Sequence, residues 1–196
     1  MPAAITGLLL AGGRGARLGG VDKGLVPFRG QPLAQHVIER LRPQVGSLLI
    51  SANRNADRYA QWAPVVDDAD PAAFAGPLSG IRAGLAAAAT DWLAVAPCDL
   101  PQLPRDAVVQ LAIAVGDAPA AYAAPAGEGH SLVCLLHRSL LAPLDQAIAA
   151  GEPRVARWFQ AIGARAVPFA DARAFANLNA PADLAAAARD ATDRHG

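Results

Sequence analysis

The sequence predicts one α/β domain built on a doubly wound, mostly parallel sheet with helices on both faces. Short apolar runs alternate with helix-length segments along the chain, which is typical of parallel α/β sheets. The chain has 196 residues, 53% of them hydrophobic, which is enough for a single buried core. No internal repeat or linker divides it, so we expect residues 1–196 to form a single domain.

Strands and helices alternate regularly in the first half of the chain. Strands are predicted over residues 5–10, 48–52, 65–66 and 92–96. A helix predicted over residues 32–41 has one apolar face, which comprises Leu33, Val37, Ile38 and Leu41. A second helix is predicted over residues 78–89 after Gly76 and Pro77, because proline is favoured in the first turn. The stretch before Val65, through Trp62, is helical or irregular.

The second half continues the pattern less regularly. Strands are predicted over residues 120–124, 132–136 and 166–169, with a glycine-rich turn at residues 127–129 between the first two. Helices are predicted over residues 106–115, 140–150, 155–162 and 181–191, the last with Pro181 at its first position. Residues 190–196 are expected to fray.

Composition argues against several classes of partner and compartment. The formal net charge is zero and basic residues are spread along the chain, so no nucleic acid or membrane partner is expected through bulk charge. The two cysteines, Cys98 and Cys134, have neither zinc nor CxxC spacing, which favours a reducing cytoplasm. No apolar stretch approaches the roughly 18 residues of a membrane helix.

A glycine-rich loop follows the first predicted strand, where open α/β sheets bind phosphates. Residues 8–25 read LLLAGGRGARLGGVDKGL, and Lys23 is the only lysine of the chain. Glycines let backbone N–H groups approach an anion closely, while Arg14, Arg17 and Lys23 add positive charge. A compact ammonium on a flexible stem differs from a planar guanidinium, so the single lysine favours a phosphate-binding role over an ordinary surface loop.

Two common phosphate-binding motifs do not fit this loop. Leu18 occupies the last glycine position of a G-x-G-x-x-G fingerprint that begins at Gly13. Val21 and Asp22 follow Gly20, where a P-loop requires lysine and a hydroxyl residue. The loop therefore predicts nucleoside triphosphate binding of another kind.

The loop resembles the nucleotidyltransferase pattern L-A-G-G-x-x-x-R-[ML]-G followed by a lysine. Further segments resemble molybdenum cofactor guanylyltransferases, namely GQPLAQHV, ISANR, VVDD, GPLSGI, APCDLPQLP and FANLNAPADL. The resemblance extends over roughly residues 5–184. Sugar-nucleotide and cytidylyl enzymes share the loop, whereas the combination of D-K-G, P-C-D and N-x-N-x-P is more specific.

The resemblance implies a Rossmann-like fold, Mg²⁺ as cofactor and a defined reaction. GTP and molybdopterin-bound molybdenum would give the guanine dinucleotide form of the cofactor and pyrophosphate. The residues that it assigns to the nucleotide are Leu10, Ala11, Gly12, Gly13, Lys23, Ser51, Asn53, Asp68 and Asp99. Ser51 stands where the family has asparagine, and Asn53 is an alternative for that contact. About residues 1–100 would bind the nucleotide and about 101–190 the acceptor.

The candidate catalytic residues are Lys23, Asp99 and Arg17. Nucleotidyl transfer to a phosphate needs no general base, because the acceptor phosphate is already an anionic nucleophile, and the sequence has no convincing Ser-His-Asp or Cys-His set. Asp99 follows an apolar strand that should end beside Leu10, which suits a Mg²⁺ ligand. Lys23 and Arg17 could neutralise the departing pyrophosphate.

Each remaining candidate also has a structural interpretation. Asp99 could cap a turn, and Asp68 could belong to a solvated acidic loop. Arg154, with Arg157 on the same predicted helix, could bind the acceptor phosphate or lie on a solvated face. Asn179 could contact the acceptor or hydrogen-bond its own backbone in a turn.

Other functions remain open on the sequence alone. CTP-dependent cytidylyl transfer to the molybdenum cofactor, or nucleotidyl transfer to a sugar phosphate, would use the same fold. A non-catalytic GTP-binding module is the alternative of another class, although the presence of both Lys23 and Asp99 disfavours it. Transient contact with other proteins that make or receive the cofactor is also expected.

Overall fold

The computed structural model describes residues 4–11, 21–67, 76–126, 130–152 and 154–178. The strands within these ranges are β1 (Ile5–Leu10), β2 (Pro27–Phe28), β3 (Gln31–Pro32), β4 (Ser47–Ser51), β5 (Val65–Val66), β6 (Trp92–Pro97), β7 (Ala120–Pro125), β8 (His130–His137) and β9 (Arg165–Phe169). The helices are α1 (Leu33–Leu41), α2 (Ala56–Tyr59), α3 (Pro77–Ala87), α4 (Ala107–Ala114), α5 (Leu141–Ala149) and α6 (Val155–Ala161).

Seven strands form one mostly parallel sheet, in the order β5-β4-β1-β6-β8-β7-β9. β8 is antiparallel to both β6 and β7, whereas the remaining neighbours pair in parallel. Because β8 lies between β6 and β7, those two strands point the same way. The carboxyl ends of all the sheet strands except β8 therefore meet at one edge, called here the carboxyl edge.

Helices cover both faces of this sheet, as predicted. Leu9 of β1 belongs to a core with residues of α1 and α4, while the adjacent Leu8 belongs to a second core with residues of α3, α5 and α6. Successive side chains of a strand point to opposite faces, so the apolar sequence of β1 supplies both cores. The doubly wound α/β prediction is confirmed.

The predicted elements agree with the structure to within one or two residues at their ends. The β2–β3 hairpin was not predicted, since each strand has only two residues and its turn places Arg29 and Gly30 at positive φ. The position of β8 between β6 and β7 is a second finding, because apolar runs and a short turn do not reveal the order of strands in a sheet. The predicted turn at 127–129, the helix at 181–191 and the frayed tail lie outside the described residues.

Among the described residues, no helix combines the length and apolar character needed to cross a membrane.

Candidate active site

The carboxyl edge brings together the ends of β4, β1 and β6. The Ala11 N–H donates to the Ser51 carbonyl at 2.8 Å, and the Cys98 N–H donates to the Leu10 carbonyl at 3.0 Å. The parallel ladders thus continue one residue past the ends of β1 and β6. Asp99, the next residue after Cys98, consequently leaves the sheet beside the start of the glycine-rich loop.

Lys23 and Asp99 form an ion pair at this edge. The Lys23 Nζ donates to Asp99 Oδ2 at 2.5 Å, and the two side chains are 18% and 17% exposed. They are 76 positions apart in the sequence, so the fold itself makes the pair. A partly buried cation beside a carboxylate suits the binding of a phosphate chain and its counter-ion.

A short 3₁₀ turn presents Lys23 to the edge. The turn spans Lys23–Leu25 and begins at Asp22, whose Oδ1 accepts a hydrogen bond from the Gly24 N–H at 3.2 Å. Asp22 is buried and also accepts from the Tyr59 hydroxyl at 2.6 Å and from Asn55 Nδ2 at 2.9 Å. The backbone around the lysine is therefore held by hydrogen bonds to the Asp22 carboxylate. Hydrogen bonds to a charged acceptor are stronger than those between neutral groups.

Close packing explains the glycine in this turn. A Cβ on Gly24 would collide with the Tyr59 hydroxyl, so only glycine lets the turn sit directly on that side chain. Tyr59 is fully buried, and burial together with the Asp22 hydrogen bond raises the pKa of its hydroxyl. The hydroxyl therefore stays protonated and serves as a donor to Asp22.

Asp99 has the features of a metal ligand. Its Oδ1 is buried and has no hydrogen-bond partner among the described residues, although buried carboxylate oxygens are normally satisfied. The described parts of the chain contain no group of three or more His, Cys, Asp and Glu side chains that could hold a metal by themselves. One carboxylate supplemented by substrate phosphates and water is the arrangement that Mg²⁺ commonly takes, so the residues present fit this cofactor.

A pocket of about 740 Å³ opens between the loop after β4, the edge strand β5 and helix α3. Its lining includes Asn53, Asn55, Asp67 and Arg82. Backbone turns and amide side chains of this kind can accept and donate hydrogen bonds to a nucleoside. Of the two alternatives for this contact, Asn53 lines the pocket.

Ser51 occupies a different environment, under helix α3. It is 4% exposed, and a Cβ on Gly80 would come within 2.7 Å of its Oγ and 2.9 Å of Leu10 Cδ2. Glycine at position 80 therefore lets α3 approach the ends of β4 and β1. The segment GPLSGI packs α3 tightly at the candidate site.

The neighbouring thiol is not a nucleophile at neutral pH. Cys98 is buried beside Asp99, and burial raises the pKa of its thiol to about 12. Because the thiolate is the reactive form, Cys98 acts as a small buried side chain.

The second half contributes Arg154 on the same side of the molecule. Since α6 runs toward the start of β9, the residue before it lies toward the carboxyl edge. The Arg154 N–H donates to Glu152 Oε1 at 3.0 Å, and the other carboxylate oxygen of Glu152 pairs with Arg157 Nε at 3.2 Å. Arg157 is thus paired at the surface, and the role of Arg154 toward an anionic acceptor stays a prediction.

The segment that precedes Asn179 also reaches this edge, where the Leu178 N–H donates to the Asp99 carbonyl at 3.2 Å. Asn179 itself lies outside the described residues, as do Gly12, Gly13, Arg17 and Asp68. Their predicted roles stay predictions.

Sequence reasoning missed Asp22, Asn55 and Tyr59. Asp22 was noted only within the D-K-G motif and as a residue that does not fit the P-loop pattern, and the two partners lie in a segment called helical or irregular. The available signal was the D-K-G motif, in which an acidic residue and a glycine flank the lysine.

The fold and the paired lysine and aspartate define a nucleotidyltransferase. A family model described as the MobA-like NTP transferase domain matches residues 7–167. The likeness in fold is broad: the chain superposes with TM-score 0.75 on a 4-diphosphocytidyl-2C-methyl-D-erythritol synthase from Anaerococcus prevotii, at 9% identity and covering 96% of each chain.

The chain belongs to the molybdenum cofactor guanylyltransferase family. Proteins of that name from Yersinia pseudotuberculosis and Serratia proteamaculans are each 46% identical to it over 181 residues, which is 91% of this chain and 92% and 91% of theirs. Molybdopterin-guanine dinucleotide biosynthesis protein A from Archaeoglobus fulgidus shares the fold with TM-score 0.77 at 21% identity, covering 96% of this chain and 99% of that one.

Proposed function

We propose that this protein transfers GMP from GTP to molybdopterin-bound molybdenum, forming molybdopterin guanine dinucleotide and pyrophosphate. The observation that carries the proposal is the Lys23–Asp99 pair at the carboxyl edge of a chain 46% identical to molybdenum cofactor guanylyltransferases. The described site offers a cation and a carboxylate, which suit alignment and charge neutralisation in phosphoryl chemistry.

The reaction needs positioning more than acid–base chemistry. A phosphate oxygen of the acceptor attacks the α-phosphorus of GTP, and the bond from that phosphorus to the oxygen bridging the α- and β-phosphates breaks. The electron pair of the broken bond leaves with pyrophosphate. Because the acceptor oxygen is already anionic, no side chain has to remove a proton.

Each residue then has a defined task. Lys23 contacts the phosphate chain and neutralises charge that develops on the pyrophosphate, with Arg17 as a second cation. Leu10, Ala11, Gly12 and Gly13 would hold the phosphates and ribose. Asp99 would hold Mg²⁺, which would supply Lewis-acid stabilisation of phosphate oxygens.

The nucleoside end lies over the loop after β4. Asn53 lines the pocket there and could contact ribose or base, whereas Ser51 is buried beneath α3. Asp68 follows Asp67, which lines the same pocket, and could accept hydrogen bonds from the guanine edge. A guanine offers N–H donors, so carboxylate or carbonyl acceptors would favour it.

The acceptor would bind to the second half of the chain. We propose about residues 1–100 as the nucleotide-binding half and about 101–190 as the acceptor-binding half. Arg154 and Asn179 would contact the pterin phosphate; Asn179 directly follows Leu178, whose N–H donates to the Asp99 carbonyl. Other proteins of cofactor synthesis would deliver or receive the pterin by transient contact, and the two free buried thiols suit the reducing cytoplasm as the compartment.

The deciding experiment is nucleotidyl transfer with Mg²⁺ and molybdopterin-bound molybdenum, comparing GTP, CTP and ATP and following pyrophosphate and dinucleotide. Transfer with GTP alone is expected. Transfer with CTP alone would replace the guanine assignment with cytidylyl transfer. Nucleotide binding without transfer would lead to sugar phosphates as acceptors, and failure there would leave a non-catalytic binding module.

A further inference from the structure

The buried carboxylate of Asp22 is the centre of a hydrogen-bonded cluster that comprises Asp22, Gly24, Asn55 and Tyr59. Three donors converge on it: the Gly24 N–H and the Tyr59 hydroxyl on Oδ1, and Asn55 Nδ2 on Oδ2. Asp22 is 8% exposed and Tyr59 0%. A carboxylate with this many donors is fixed in one orientation, since each bond is charge-assisted.

This cluster bears directly on where the lysine lies. Asp22 precedes Lys23 and binds the N–H groups of the two residues that follow the lysine. Its carboxylate accepts from the Gly24 N–H and its backbone carbonyl accepts from the Leu25 N–H. A lysine side chain has about four rotatable bonds, so the position of its backbone determines what its ammonium can reach. The Asp22 carboxylate therefore holds the Lys23 backbone at the position from which the Lys23 Nζ reaches Asp99.

The cluster also connects the lysine to the pocket after β4. Asn55 lines that pocket and at the same time donates to Asp22. It is the residue immediately before α2, with φ of 53°, and α2 ends on Tyr59. The same short segment thus forms a wall of the pocket and supplies both side-chain donors to Asp22.

We infer that Asp22 is a positioning residue for Lys23, and that Asn55 and Tyr59 couple the nucleoside pocket to the lysine through it. The inference rests on the proposed function for the role of Lys23 on the phosphates. The positioning itself is a property of the protein without nucleotide. A nucleotide that contacts the pocket wall stabilises the arrangement in which Lys23 faces the phosphate chain.

A double-mutant cycle separates positioning from a general structural effect. Tyr59→Phe removes one hydroxyl from the cluster and keeps the ring, and we expect it to lower kcat for GTP-dependent transfer about tenfold, below the roughly 100-fold that a 1 Å misplacement can cost. In a Lys23→Ala background the same change should alter kcat less than about twofold, because no ammonium remains to be misplaced. An equal loss in both backgrounds would overturn the inference.

Two further variants and a matched control sharpen the comparison. Asn55→Gly removes the amide without strain at positive φ, and Asp22→Asn replaces an acceptor oxygen by a donor. Both should lower kcat as Tyr59→Phe does, and both should lose this effect in the Lys23→Ala background. Tyr122→Phe removes the hydroxyl from the other tyrosine, which stacks on Phe159 in the second half, and should leave kcat unchanged.

A spectroscopic test is independent of the reaction. Because the chain has one lysine, ¹³Cε-lysine labelling gives a single side-chain resonance, which reports Lys23 alone. In folded Tyr59→Phe and Asn55→Gly proteins without nucleotide, this resonance should shift or broaden relative to the wild type, and in Tyr122→Phe it should not. A resonance that coincides with the wild type in all folded variants would refute the positioning.

The two tests also separate this inference from the proposed function. If the wild type transfers no nucleotide while the lysine resonance responds to the cluster variants, the proposed reaction is wrong and the positioning stands. The proposed reaction stands and the positioning is wrong if the wild type transfers GMP but the lysine resonance is unchanged in the cluster variants and the double-mutant cycle shows no coupling.

Discussion

Asp99→Asn should nearly abolish turnover while leaving the protein folded. The substitution keeps the shape of the side chain, and its amide oxygen can still accept a hydrogen bond from Lys23 Nζ. It removes the negative charge that lies 2.5 Å from the ammonium and that would face the metal. The change therefore separates the electrostatic task of Asp99 from its packing.

The expected loss of stability follows from the geometry. At 2.5 Å, and with an effective dielectric constant of about 20, the gross attraction between the two charges is about 7 kcal/mol. Most of this is offset by the cost of removing both ions from water, since the side chains are only 18% and 17% exposed. Because the hydrogen bond survives, we expect a net loss of about 1–2 kcal/mol in the free energy of unfolding.

The expected loss of rate is much larger. A fixed charge directed at developing phosphate charge typically contributes about 100- to 1000-fold in kcat. The assay is pyrophosphate release with GTP, Mg²⁺ and the molybdopterin acceptor, with thermal unfolding measured on the same preparation. Retention of more than about a tenth of the wild-type rate would refute the assignment of Asp99 to the reaction.

Asp91→Asn is the matched control for this prediction. Asp91 pairs with Arg138 at 3.4 Å, and these side chains are 67% and 63% exposed. It immediately precedes β6 and so lies at the opposite edge of the sheet. An exposed pair contributes less than about 1 kcal/mol, so both stability and turnover should stay close to the wild type.

The remaining predictions test the lysine, its turn and the core. Lys23→Arg should turn over well below the wild type and Lys23→Ala more than about tenfold below it, measured by the same assay, because a guanidinium is wider and less adaptable. Gly24→Ala should lower the melting temperature, since the added Cβ collides with the Tyr59 hydroxyl, and normal stability would contradict that contact. Gln44→Leu should cost about 1–3 kcal/mol in denaturant unfolding, because its buried amide binds the Val108 N–H and two carbonyls. Cys98 should resist thiol reagents at pH 8 in the folded protein and react only on unfolding, since burial raises its pKa to about 12.

Local patterns were sufficient for most of the architecture. Apolar runs located the strands of the large sheet, and the apolar face from Leu33 to Leu41 located α1, because burial on a helix leaves a visible period. Asp99 could be assigned to the carboxyl edge, since it directly follows a strand in a doubly wound sheet. The short predicted turn between β7 and β8 requires these two strands to be antiparallel, but the position of β8 between β6 and β7 could not be predicted from local apolar patterns.

The cluster around Asp22 could not be predicted because nothing local distinguishes it. Asp22 is separated from Asn55 by 33 positions and from Tyr59 by 37, and the ion pair of the next residue spans 76. These contacts exist only because β4 and β6 both lie beside β1, so that the segments following all three strands meet at one edge. A substitution in the loop after β4 is therefore expected to affect Lys23, because the order of strands in the sheet brings that loop beside the lysine. The number of residues between the loop and Lys23 in the sequence does not reveal this contact.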